Sequence, residues 1–344
     1  VKRENSQRIN KGYTKINNVV NFKLIPYTIR IEHEEEKDDL ILDDLRQYKR
    51  TFIEEFYKSH PKSLKIEFTQ DQLDQLKKTD FLYIIQEYFN TIKDPFISNE
   101  YQKTITLEKF EEIDRHLYGV IKGGEFGIRA DHLDIVKKVR KKDARKKTDS
   151  EELPFFFHFY IPNDQCQGYV ILESIGNHAI ETQLEDHLNK FLVPMKYSIS
   201  FSRMVSKNFI DLVNTNDLKK IRLIKRIVPK DTAEKVHDGD PHDIIEERIF
   251  KATRNKKIIL TDYLKKNFTN KEITQYEILN DHFSEIKAEI KQQKILRTAT
   301  FSPNNAHIGE LMYLGDIALE NDHPRYDAIK NQSLQYMTAL TDNT

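Results

Sequence analysis

The sequence predicts an α+β fold: a helical N-terminal part, then a mixed β-sheet domain with helices, then C-terminal helices. Three observations carry this. Apolar residues recur at helical spacing at Ile41, Leu45, Tyr48, Phe52 and Phe56, and again at Leu107, Phe110, Ile113 and Leu117. Continuous or alternating apolar runs crowd residues 155–228. A helical stripe returns at Tyr276, Leu279, Phe283, Ile286 and Ile290.

The chain has 344 residues, room for two domains. With 20 Phe and 16 Tyr it can bury a core despite its many charges. Its 55 basic and 55 acidic residues cancel, which excludes a uniformly basic coat but not a basic patch. The single cysteine, Cys166, excludes an intrachain disulfide and a thiolate zinc site, and fits a reducing compartment. No apolar stretch is long enough to span a bilayer, and the polar opening residues lack a signal-peptide core. A cytoplasmic location is therefore expected, with the natural start upstream of Val1.

The elements follow in order. Residues 18–32 read as an extended segment interrupted at Pro26. Eight carboxylates then fall between Glu32 and Asp44, an acidic run read as a solvated loop and helix start. The stripe from Ile41 predicts a first helix. Thr69-x-x-Gln72 is a capping box opening a second, and Asp80 caps its continuation through Phe81, Ile84 and Tyr88. Thr106 is expected to open a further helix that ends at Gly123-Gly124. Residues 131–153 change character and read as a basic linker or loop. It separates an N-terminal domain, 1–130, from a sheet domain, 154–260, and a C-terminal helical segment, 261–344.

Within the sheet domain, Phe155–Ile161 and Tyr169–Ile175 predict a hairpin with a long loop, in which Cys166 is incidental. A helix carries Ile180, Leu184, Leu188 and Phe191. Tyr197, Ile199 and Phe201 alternate with serines as a half-buried strand, Ser206 caps a short helix, and Leu218–Val228 is a further strand. Residues 229–243 are a polar loop, and 244–252 fit strand or helix. Thr269-x-x-Glu272 caps the last long helix, and Pro-containing loops flank the C-terminal helical pieces.

Two basic elements are candidates for phosphate contact. The first is the dense run of Lys137, Lys138, Arg140, Lys141, Lys142, Arg145, Lys146 and Lys147. The second is the strand 218–228, where alternation puts Lys220, Arg222 and Arg226 on one face. His237, Asp238, Asp240 and His242 have the composition of a metal loop without an established ligand spacing, and Asp240-Pro241 also suits a helix cap. Gly123-Gly124-Glu-Phe-Gly127 lacks the lysine of a phosphate-binding loop. No catalytic motif and no cofactor is indicated.

The segment from Leu153 to Val228 carries Leu-Pro-Phe-Phe-Phe-His-Phe, Gly-Tyr-Val-Ile-Leu-Glu-Ser-Ile-Gly, Tyr-Ser-Ile-Ser-Phe-Ser-Arg-Met-Val and Leu-Lys-Lys-Ile-Arg-Leu-Ile-Lys-Arg-Ile. In this order it resembles the RexA-like phage-exclusion proteins and related bacterial anti-phage proteins. The resemblance implies a cytosolic defence protein that binds DNA without strong sequence preference, as a homodimer. It implies no catalytic residue. Three functional expectations result: a nucleic-acid binder, DNA first, acting through the two basic elements; a metal-dependent nuclease or toxin using His237, Asp238, Asp240 and His242; and an interaction protein meeting a phage or host protein through the aromatic helices 40–57 and 81–90. No membrane partner is expected.

Overall fold

The computed structural model describes residues 21–34, 39–46, 69–206, 218–225, 245–253, 276–278, 281–283, 285–292, 295–301 and 309–341, with isolated positions between them. The expected α+β arrangement is overturned. The described residues are dominated by one antiparallel sheet of 13 strands, and they include four α-helices. In chain order these are β1 Phe22–His33, α1 Gln70–Thr79, α2 Phe81–Thr91, β2 Phe96–Ser98, β3 Lys103–Ile113, β4 His116–Glu125, β5 Ala130–Asp134, β6 Val139–Arg145, β7 Glu151–Tyr160, β8 Gly168–Ile175, β9 His178–Ala179, α3 Glu181–Leu192 and β10 Tyr197–Arg203. After them come β11 Leu218–Lys225, β12 Glu246–Lys251, β13 Tyr276–Ile278, β14 Asp281–Phe283, β15 Glu285–Gln292, β16 Ile295–Phe301, β17 Gly309–Tyr313, the two-residue strands β18 Leu319–Glu320 and β19 His323–Pro324, and α4 Tyr326–Thr341.

The main sheet runs β12-β11-β15-β16-β17-β1-β8-β7-β4-β3-β2. It crosses the expected boundary at 131–153, because β4 pairs with β7 from His116↔Tyr160 to Glu125↔Glu151. β1 is the hinge of the topology. One edge pairs with β8, while the other is shared by β17 at Lys23–Leu24 and β10 at Tyr27–His33. Pro26 lies between those two partners, and its carbonyl accepts from the Met204 N–H. Backbone N–H and C=O of one strand residue point the same way, so the missing proline donor faces the fork and breaks no ladder.

Register sorts the side chains. Phe157, Phe159, Leu117, Gly119 and Tyr27 share one face, covered by α2 and α3. Phe89 stacks on Phe157 at 4.6 Å and meets Phe110 and Phe159 edge-on or tilted. Tyr27 Oη donates to Glu181 Oε2 at 2.6 Å. His116, His158, Tyr118 and Phe156 face the other way, under α4. A second apolar cluster, with Ile221, Phe283, Ile286, Ala288 and Phe301, lies beneath β11, β15 and β16.

The capping expectations at Thr69 and Asp80 hold. Thr69 N–H donates to Gln72 Oε1 at 2.8 Å and Gln72 N–H to Thr69 Oγ1 at 3.3 Å, and Asp80 Oδ1 accepts from Leu82 N–H at 2.8 Å. The helix expected from Thr106 is instead the β3–β4 hairpin. A bulge between Leu107 and Lys109 adds one residue, so Leu107 and Phe110, three apart, point to one face and imitate a helical stripe. Gly123 and Gly124 sit inside β4 rather than ending a helix. A Cβ at Gly123 would lie 2.3 Å from Ile180 Cδ1, so glycine lets α3 approach the strand.

The helical stripe expected from Tyr276 to Ile290 is also overturned, while Thr269, Glu272 and Leu279 lie outside the described residues. Phe283 closes β14, while Ile286, Ala288 and Ile290 alternate into the core from β15. Ala288 completes a period of two that the larger residues alone conceal. Among the described residues, the C-terminal part after β15 is likewise strands, β16 to β19, before the helix α4. Of the stripe from Ile41, residues 39–46 are non-helical with Leu42 and Leu45 buried, and Thr51, Glu54, Glu55 and Lys58 are helical. Tyr48, Phe52 and Phe56 lie outside the described residues.

Candidate nucleic-acid interface

The basic run is a β-arm rather than a linker. β4 and β7 are neighbours, and the chain between them continues their ribbon outward. Gly127, at φ +94°, donates its N–H to Lys147 O at 2.8 Å, and Ala130 then pairs with Arg145 and Asp134 with Val139. β5 and β6 form their own two-stranded sheet, off the main one.

Its root is fixed. Arg145 Nη1 pairs with Glu151 Oε2 at 3.0 Å, its Nη2 donates to Glu125 O, and Lys146 N–H donates to Asp149 Oδ2 at 2.8 Å. Beyond the root every residue from 131 to 143 is exposed. The tip is a four-residue turn, 135–138, in which Asp134 Oδ1 accepts from Val136 N–H at 3.0 Å and Lys137 N–H at 2.8 Å. Asp131 Oδ1 accepts from Asp143 N–H at 3.0 Å. The carboxylates of Asp131 and Asp134 are thus held on backbone amides, and Lys137, Lys138, Arg140, Lys141 and Lys142 form no ion pair among the described residues.

The second basic element has a different fate. β11 lies inside the sheet, between β12 and β15. Lys220 Nζ pairs with Glu289 Oε2 at 2.5 Å, both side chains mostly covered, and Arg222 Nη1 lies 4.0 Å from Glu247 Oε2. Its charge is balanced across the strands. β11 also stands six strand steps from β7, about 30 Å at 4.8 Å per strand, so the two elements make no single patch. Arg226 lies outside the described residues, as do His237, Asp238, Asp240 and His242. Among the described residues no group of three or more His, Cys, Asp or Glu could hold a metal ion. Cys166 is half-buried, in the β7–β8 loop.

Two polar constructions were not legible in the sequence. His158 is buried, with Nε2 2.9 Å from His116 Nδ1 and Nδ1 2.8 Å from Ser333 Oγ. Tyr118 stacks on His158 at 4.2 Å and Tyr160 on His116 at 4.3 Å. Burial, then the neighbouring His116, holds the His158 pKa well below the usual histidine value, so the ring is neutral. Ser333 is fully buried, so this chain pins α4 to the sheet rather than presenting a nucleophile. Its members are 42 and 175 residues apart, and no local pattern announces them.

The second is ionic. Arg297 Nε donates to Glu310 Oε1 at 2.6 Å, and Glu310 Oε2 accepts from Ser206 N–H at 3.0 Å and Ser206 Oγ at 2.8 Å. The guanidinium lies between the Phe209 and Tyr336 rings, at 5.4 and 5.6 Å. Phe209 belongs to the second apolar cluster and Tyr336 to the first, so the pair joins them.

Two clefts adjoin along α3, of about 370 and 300 Å³, with Lys103 and Gln183 lining both. The larger touches Arg145 and Glu151 at the arm root, and the smaller is walled by Phe96, Tyr101 and His187. No helix among the described residues is long and apolar enough to cross a membrane. No protein-family model matches the chain, and no curated protein matches it in sequence.

Proposed function

We propose that this chain is a nucleic-acid-binding protein of the anti-phage defence type, gripping its target without sequence preference through the β5–β6 arm. One observation carries the reading: an exposed ribbon whose five cations beyond the root have no ion-pair partner among the described residues, while Asp131 and Asp134 are held on the backbone. Across 131–147 there are eight cations against three carboxylates. Residues 131–143 contain no Asn or Gln, the side chains that read adenine, so lysine-rich phosphate contact dominates. The defence setting rests on the sequence resemblance of residues 153–228 alone.

The test is binding of duplex DNA measured against salt. Five phosphate contacts give a log–log slope of about −4.5, so affinity falls about 500-fold between 50 and 200 mM salt. Replacing Lys137, Lys138, Arg140, Lys141 and Lys142 together by Ser is expected to flatten the slope toward zero. Salt-independent binding, or an unchanged slope in that variant, removes the arm from the reading. The defence setting is tested separately: phage plating efficiency is expected to drop on cells expressing the chain and recover with the Ser variant.

A further inference from the structure

The arm has a feature that phosphate contact leaves unused. Its end is apolar. Ile135 is 68% and Val136 76% exposed, and Leu133 and Val139 beside the turn are 52% and 55% exposed. Water-facing aliphatic residues in such a cluster are unfavourable unless something covers them. Among the described residues nothing does, because the ribbon projects beyond its root contacts. The turn is also shaped: Lys138 takes a left-handed conformation at φ 55°, and Asp134 locks the two amides after Ile135. Ile135 and Val136 are therefore carried at the apex of a braced turn rather than on a loose loop.

Resting on the nucleic-acid reading above, we propose that Ile135 and Val136 form a wedge that enters between stacked base pairs of duplex DNA, and that the cations along the arm hold the phosphates on either side of the resulting kink. The arrangement of charge selects this occupant. A tip that dips into a lipid bilayer buries its apolar residues about 5–10 Å deep and gathers its cations in the single layer of the headgroups. Here the cations run from Lys137 in the turn back to Lys147 at the root, and the chain from Val139 to Lys147 alone covers about 26 Å of ribbon at 3.3 Å per residue. That length follows a phosphate backbone past a groove. Arg140 points to the face of Leu133 and Lys141 to that of His132, so both faces of the ribbon carry charge. A two-stranded ribbon also fits within a duplex groove, and apolar side chains at base steps are an established way to kink DNA by about 20–90°.

The experiment uses the full chain and a duplex of about 30 base pairs labelled at both ends for energy transfer. Wild-type protein is expected to bring the ends together. The double variant Ile135→Ser, Val136→Ser is expected to bind at 50 mM salt within about threefold of wild type, to keep the same salt slope, and to leave the duplex straight. The tip is remote from the core, so an unchanged melting temperature verifies folding. Wild-type binding without bending, or equal bending by the variant, overturns the wedge and leaves the phosphate reading standing. Absence of duplex binding at any salt overturns both. A parallel sedimentation with vesicles of phosphatidylcholine and phosphatidylserine covers the other source of an apolar surface. Vesicle binding lost in the variant, with DNA bending retained, would reassign the tip to lipid and refute the proposal.

Discussion

Glu173 is a carboxyl in the middle of the sheet, and replacing it by Gln should make the protein more stable only where the wild-type group is under stress. Glu173 is 3% exposed in β8. Its Oε2 accepts from Phe156 N–H at 2.9 Å, while Oε1 has no hydrogen-bond partner. Burial pushes its pKa from an ordinary 4.5 up to about 7, opposed only in part by the Phe156 amide. Between those values the folded chain holds a proton that the unfolded chain has released. The group therefore costs nothing below about pH 4.5, and its penalty grows as pH rises through about 7. Each pH unit of that window is worth about 1.4 kcal/mol, so about 3 kcal/mol of stability is lost by pH 8. Glutamine keeps the acceptor for Phe156 and cannot ionise. Urea unfolding across pH 4.5 to 8 is expected to give wild-type stability falling relative to Glu173→Gln by about 3 kcal/mol. A constant difference between wild type and variant is outside this reading, because an unpartnered amide adds a penalty independent of pH. Parallel curves for the two proteins would refute the raised pKa and its cause.

Arg297→Met should cost about 3–5 kcal/mol in urea unfolding, because it leaves the Glu310 carboxyl group buried beside Ser206 without its guanidinium partner. Removing both charges in Arg297→Met, Glu310→Leu should recover most of that loss; a double variant as unstable as the single one argues against a desolvated ion pair. Gly119→Ala should lower stability by about 3 kcal/mol in calorimetry, since its Cβ would lie 2.2 Å from the Lys109 carbonyl oxygen and 2.4 Å from Phe157 Cζ. An unchanged melting temperature there would mean that β3 moves aside freely at its bulge.

Much of the local structure was legible in advance. The capping box at Thr69 and Gln72 and the cap at Asp80 act within three residues, so they read directly from the chain. The strands at 155–160, 169–175, 197–201 and 218–225 and the helix at 181–192 follow from runs and periods that no other element disturbs, whereas residues 151–153 of β7 lie in the stretch read as a linker. The two large errors share a cause. Apolar spacing reports which residues point the same way, and a bulge at Leu107–Lys109, or the break between β14 and β15, produces helical spacing from extended chain. Helix or strand was then decided by pairing between strands, which the apolar spacing of one segment does not show.

The same division holds for the candidate site. The sequence by itself determined that the chain carries two basic elements, and that residues 137–147 are the denser one. It could not determine which cations are free, because pairing across a sheet depends on register. Lys220 meets Glu289, 69 residues away, and is neutralised; Lys137 to Lys142 project on a ribbon with Asp131 and Asp134 held on backbone amides. Charge is a property of the residue, whereas availability of charge is a property of its neighbours, and only the tertiary structure supplies those.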